Sequence, residues 1–157
     1  MKKRMVLDIN YFEDYHFFGI VSTLKDYTLA HFINQKLDLY LKKYDDLRIS
    51  EKGEAFSWYY YKQGNKYMSC FLIGNNHPKQ KPIAELKDFD YFFLVKDAID
   101  KEQLQLMIAG IRSIQNVVGV FQQNMSAITE MDVLIESNEL HEMEQIIIPA
   151  KKGKNKL

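Results

Sequence analysis

The chain is poor in cysteine, proline and glycine. Its 157 residues include one cysteine, three prolines and seven glycines. Because Cys70 has no second cysteine with which to pair, an internal disulfide is excluded, which predicts a reduced, cytoplasmic protein. Each glycine stands alone in the sequence, so no glycine-rich loop could bind a phosphate group through consecutive backbone amides.

The chain also lacks an excess of charge of either sign. It has 21 lysine and arginine residues against 21 aspartate and glutamate residues. A neutral chain has no general field that attracts nucleic acid or an acidic membrane, which argues against nucleic acid as a partner. Long hydrophobic runs are missing too, so we expect neither a signal peptide nor a membrane-spanning segment, and no membrane partner.

Motifs for catalysis and metal binding are absent from the sequence. The four histidines, at positions 16, 31, 77 and 141, are far apart, and none has a second histidine or a cysteine at ligand spacing. The serine hydrolase elbow, the Walker loop and the dinucleotide glycine fingerprint do not occur. The sequence therefore predicts no metal site and no cofactor. The sequence favours a protein without catalytic activity, and it assigns no catalytic residues.

The hydrophobic pattern predicts one α+β domain over residues 1–150, with a mainly antiparallel sheet and two main helices packed on one face. The first helix spans residues 24–41, with Thr23 and Asp26 as a capping box. The second begins at Asp100, and Gln103 three residues later completes a cap. Its apolar positions follow a helical spacing and should be buried: Leu104, Met107, Ile108, Ile111 and Ile114. Strands are predicted at residues 5–10, 17–21, 47–49, 55–62, 66–73, 91–96 and 117–121.

The C-terminal part is less regular. The pattern allows a third helix over residues 126–144, with Ile128, Met131 and Ile135 on one face. The apolar run 146–148 indicates an edge strand that Pro149 ends. Residues 151–157 are rich in lysine and predict a flexible basic tail.

One segment carries a recognisable signature. Residues 83–91 read Ile-Ala-Glu-Leu-Lys-Asp-Phe-Asp-Tyr and lead directly into the apolar residues 92–95. This stretch resembles the motif of the IPExxxVDY family, small bacterial proteins of unknown function. Four positions match: Ile83, Glu85, Asp90 and Tyr91. Ala84 stands where the family has proline, and Phe89 stands where it has valine.

The signature allows a structural and a functional interpretation. In the structural one, Asp90 accepts backbone hydrogen bonds in a turn, Tyr91 begins a central strand, and Glu85 faces solvent or a shallow cleft. In the functional one, Glu85, Asp90 and Tyr91 form a binding cluster at the rim of a pocket beside the loop at 74–82. These three residues are therefore the candidate binding residues.

A second resemblance concerns RNA. Residues 52–59 resemble the RNP1 strand of RNA-recognition motifs through five matches: Lys52, Gly53, Ala55, Phe56 and Tyr59. Glu54 stands at a position where that family has an aromatic residue that stacks on a base. A carboxylate at this position would repel phosphates, and a further strand follows where that family has a helix.

These observations favour an intracellular, non-enzymatic binding or interaction module that associates with itself or with a protein partner. The aromatic strand pair at 56–61 and 67–71 would supply the apolar surface. Three alternatives stay open. They are an RNA-binding module that uses the Lys52–Tyr59 strand, a small-molecule regulatory domain with a ligand at a dimer interface, and a hydrolase with Glu85 or Asp90 as its acid or base.

Overall fold

The structure is a computed structural model that describes residues 12–49, 55–64, 68–75, 83–97 and 100–155. The strand predicted at 5–10 and most of the loop at 74–82 lie outside these ranges. Within them, the fold is α+β, as the sequence predicts.

Six strands of the described residues form one sheet, in the order β2-β5-β6-β7-β1-β8, and every neighbouring pair is antiparallel. Two further strands, β3 and β4, pair with each other. The long strand β1 lies between β7 and β8, which come from the second half of the chain. The bounds are β1 Tyr15–Ser22, β2 Lys42–Lys43, β3 Leu47–Arg48, β4 Ala55–Phe56, β5 Trp58–Lys62, β6 Ser69–Gly74, β7 Tyr91–Lys96 and β8 Val117–Gln123.

Helices α1 (Asp26–Leu37) and α2 (Lys101–Arg112) cover one face of the sheet, as predicted. The Asp100 cap of α2 is confirmed, since its carboxylate accepts the Gln103 backbone N–H at 2.8 Å. All five apolar positions predicted for this helix are buried.

The capping box predicted for α1 is wrong. The N-cap is Lys25, and its side chain makes no capping hydrogen bond. The Asp26 carboxylate instead accepts the Tyr59 hydroxyl at 3.1 Å. The helix also ends earlier than predicted, because Asp38 takes a left-handed conformation with φ of 56°.

A third helix, α3 (Met131–Glu142), covers the opposite face of the sheet. The sheet is therefore buried on both sides, and strand β7 supplies side chains to both. Tyr91, Phe93 and Val95 face α1 and α2, whereas Phe92 and Leu94 face α3. Burial on both faces is why this strand reads as a continuous apolar run.

The edge strand predicted at residues 146–148 is wrong. A wide π-helical turn, Met143–Ile147, continues α3 and leads into α4 (Ile148–Asn155). Pro149 has no N–H for a regular helical bond, and a wider turn before a proline relieves its clash with the preceding carbonyl. The predicted flexible tail is helical as far as Asn155. No helix within the described ranges has the length and apolar character needed to cross a bilayer.

Candidate functional site

Asp90 of the signature segment is bonded to β1. Its backbone N–H donates to the Ile20 carbonyl at 2.8 Å, and its carboxylate accepts the Ser22 N–H at 2.9 Å. The predicted type of bond is therefore present, but the acceptor and donor belong to a strand far away in the sequence rather than to the turn around Asp90.

The other two candidate residues have different neighbours. The Tyr91 ring is fully buried, and its hydroxyl donates to the Leu24 carbonyl. The Glu85 carboxylate is exposed and accepts the Thr129 N–H at 2.8 Å. The three side chains thus contact three separate segments, and none of them lines a described cavity. This arrangement supports the structural interpretation of the signature.

Phe89 makes the closest contact of this segment. Its ring lies over Gly19 in the middle of β1, where an added Cβ would come within 2.4 Å of the ring atoms. Ile83 and Leu86 are buried on the α3 side of the sheet. The signature segment therefore holds the N-terminal end of β7 against β1.

Five rings of the aromatic strand pair predicted as an interaction surface are buried, and Tyr61 is half-buried. Phe56, Trp58, Tyr59, Tyr60 and Phe71 are each no more than 4% exposed. Rings that pack inside the protein cannot form an apolar contact surface or stack on bases, so neither the predicted surface nor the RNP1-like stacking is available. Lys52, Gly53 and Glu54 lie outside the described residues.

Two hydrogen bonds attach α3 to strand β5. The Trp58 indole N–H donates to Asn138 Oδ1 at 2.7 Å, and the Tyr60 hydroxyl donates to Glu142 Oε2 at 2.8 Å. Burial, together with the Glu142 carboxylate, raises the pKa of Tyr60 well above its ordinary value. This hydroxyl therefore stays protonated at neutral pH and donates the bond that positions the helix.

A similar contact joins α3 to β1. The Tyr15 hydroxyl donates to Glu139, and Lys96 lies 3.8 Å from the same carboxylate. Burial and then Glu139 raise the pKa of Tyr15, so it too remains protonated. Burial also raises the pKa of Cys70 to about 12, which makes it a poor nucleophile. Among the described residues, no group of His, Cys, Asp and Glu could hold a metal ion.

An open groove of about 550 Å³ lies between α3 and the segment at 45–49. His141 forms part of its wall, and its Nε2 atom is 2.7 Å from the Asp45 carbonyl. The rim carries Asp45, Asp46 and Glu144 against Arg48, so acidic groups predominate. Two smaller grooves, of about 360 and 340 Å³, lie beside Tyr15 and beside Leu106.

The clearest surface feature is a stretch that lacks charge. Residues 103–129 contain one charged side chain, Arg112, although 27% of the whole chain is charged. These residues form most of α2 and all of β8. On β8 they leave Val118 74% and Phe121 50% exposed, whereas Leu106 of α2, 71% exposed, lies in the groove with Leu37 and Met68. Depletion of charge on an exposed apolar surface is typical of the centre of a protein interface.

Among the described strands, β8 is an outer strand of the sheet, and it contains no charge and no proline. The opposite edge, β2, is two residues long and consists of lysines, which protect a sheet edge against pairing. On β8, the Val120 carbonyl accepts the Arg112 Nη2 and Nε groups at 2.7 and 3.2 Å. A backbone carbonyl on the outer side of β8 is therefore able to accept hydrogen bonds.

Sequence reasoning missed this surface because it counted charges over the whole chain and not along it. The missing signal was the run at 103–129, which is visible in the printed sequence. No known family model matches the chain, and a search of curated proteins finds no match either.

Proposed function

We propose that the protein is a non-catalytic interaction module that forms a symmetric dimer by joining β8 of two copies. The observation that carries the proposal is the outer strand β8, which has no charged side chain and leaves Val118 and Phe121 exposed. A twofold axis brings each residue close to its own copy or near neighbours, so charges of one sign would repel across it. A strand without charged side chains keeps this cost low.

The backbone of β8 suits antiparallel pairing centred on Phe121. The Ile20 carbonyl points toward β7, where it accepts the Asp90 N–H. The backbone groups of the preceding residue, Gly19, therefore point toward β8, where Gly19 pairs with Phe121. Val120 and Gln122, on either side of Phe121, then direct their backbone groups outward. In the dimer, Val120 of one copy pairs with Gln122 of the other.

The side chains at this axis are also complementary. Phe121 is half exposed and would lie opposite Phe121 of the second copy, an aromatic cross-strand pair of a stabilising kind. Helix α2 packs against β8 from the other face of the sheet. The two sheets would join into one continuous sheet, and the Gln122 N–H of the second copy would replace Arg112 at the Val120 carbonyl.

Light scattering after size-exclusion chromatography tests the proposal. The wild-type chain should have at least the mass of a dimer at micromolar concentration. Phe121→Lys places two lysines opposite each other at the axis and should raise the dissociation constant of this interface at least thirty-fold, the order expected for a central contact. Val118→Lys, at a more exposed position, should weaken pairing as well.

Tyr40→Lys is the matched control, because Tyr40 is a highly exposed aromatic residue outside this surface. It should leave the mass unchanged. Thermal melts of each variant establish that it is folded. A folded wild-type chain that stays a monomer at high concentration, or a Phe121→Lys variant with wild-type association, would overturn the proposal.

A further inference from the structure

We infer that the C-terminal helix is a second self-association surface, which pairs antiparallel with the same helix of another copy. Leu140 is 57%, Met143 48% and Ile147 41% exposed. They follow one another at spacings of three and four residues, so they lie along one side of the helix. An apolar stripe along the exposed side of a helix is typical of a surface that another element covers.

The helix is long enough for such pairing. α3, the π-helical turn and α4 follow one another without interruption from Met131 to Asn155. The inner side of α3 is already used, because Leu134, Ile135 and Asn138 are buried against the sheet. The stripe lies outside this contact.

The charges of the helix favour the same helix of a second copy as the element that covers the stripe, and they favour an antiparallel arrangement of the two helices. Exposed Glu136 and Glu144 lie in the first part, and exposed Lys151 and Lys152 lie in the last part. A parallel pair would place like charges side by side. An antiparallel pair that sets Leu140 against Ile147 also sets Glu136 against Lys151, so one register satisfies both the apolar and the charged positions.

The groove beside α3 supports the same occupant. Leu140 lines this groove together with Ile49, and its rim carries Asp45, Asp46 and Glu144. Ile147 of the second copy would enter beside Leu140, and the lysines that follow it would run toward Glu136, past the end of the groove where Ser137 bonds to Ile49. The opposite charges of Glu136 and Lys151 would assist this docking.

This surface is separate from the one proposed on β8. The groove lies beside β3 and the segment that follows β2, whereas β8 is at the other end of the sheet. Both surfaces can therefore be used at once, and two different twofold contacts build an assembly larger than a dimer.

The test uses the Phe121→Lys variant, in which the β8 contact is disabled. This variant should still form a dimer through its C-terminal helices. Adding Ile147→Glu should raise the dissociation constant of that dimer at least thirty-fold. Adding Tyr27→Glu, at an exposed position on α1, should not. Circular dichroism melts confirm that each protein is folded.

A charge exchange tests the direction of pairing. Lys151→Glu and Glu136→Lys should each weaken the helix-mediated dimer, and the two together should restore it. Restoration supports the antiparallel register, whereas a further loss in the double variant refutes it. The inference is also wrong if the wild-type chain is a simple dimer, the Phe121→Lys variant is a monomer, and adding Ile147→Glu does not change its mass. That result would leave the β8 proposal intact.

Discussion

The contact between Gly19 and Phe89 yields a quantitative prediction. An added Cβ at Gly19 would lie 2.4 Å from Cγ and Cδ2 of the ring, whereas ordinary carbon contacts are about 3.5–4.0 Å. The ring would have to move by more than about 1 Å. It cannot do so easily, because the Phe89 N–H is bonded to Leu86 and the next residue, Asp90, is fixed to β1. We expect Gly19→Ala to lower the free energy of unfolding by about 1–3 kcal/mol.

A loss of stability in Gly19→Ala would be informative, because alanine ordinarily makes a strand more stable than glycine does. Gly19 has no positive φ, so alanine can adopt its backbone conformation. Without the ring, the substitution should stabilise the protein by roughly 0.5–1 kcal/mol. Phe89→Ala alone should cost about 2 kcal/mol, less than for a fully buried phenylalanine because the ring is only partly buried.

Urea unfolding of the wild type, both single variants and the double variant measures the coupling between the two positions. We expect a coupling free energy of about 2–3 kcal/mol, with Gly19→Ala destabilising in the wild type and neutral or stabilising in the Phe89→Ala background. Equal destabilisation in both backgrounds would show that the ring is not the obstacle at Gly19, and the structural role given to the signature would be wrong.

Other predictions concern buried polar groups. Tyr60→Phe should lower the free energy of unfolding by about 1.5–3 kcal/mol, because the buried Glu142 carboxylate loses its donor; a change under about 0.5 kcal/mol would contradict this. Since the pKa of Tyr60 is raised on folding, its contribution is present below about pH 10 and lost as the pH rises further, so the wild type should lose more stability than Tyr60→Phe in alkaline melts. Cys70 should react with Ellman's reagent only after unfolding, and prompt reaction of the native protein would show that it is accessible. In denaturant melts, Asp90→Ala should cost about 1–2 kcal/mol and Glu85→Ala less than about 0.5 kcal/mol; the reverse order would exchange their roles.

The sequence predicts those parts of the fold that depend on local pattern. Helix α2 is an example, because its cap at Asp100 and its apolar spacing lie within fifteen consecutive residues. The strand prediction at 146–148 is wrong because isoleucine favours strands, whereas the conformation here is set by a helix that already extends from α3. Local preference gives way to tertiary context.

The candidate site is harder to predict because its contacts are distant in sequence. The sequence predicts that Asp90 bonds to backbone, but its donor at Ser22 is 68 positions away and cannot be read from a turn pattern. The abundance of aromatic residues suggests an exposed surface, yet Trp58 and Tyr60 fill the core beneath α3. Where rings are buried depends on which faces of the sheet the helices cover, and a single sequence does not show this directly.

The central position of β1 has a consequence for how the chain folds. Residues 15–22 are made early, but their partners are residues 91–96 and 117–123. The hairpin of β5 and β6 can form locally, whereas β1 must wait until most of the chain is present and must then close long loops on both sides. High sequence separation between partners slows folding, so formation of the two ladders of β1 should limit the rate. Until then, both edges of β1 are unpaired, and this is the interval in which the nascent protein is most exposed to aggregation.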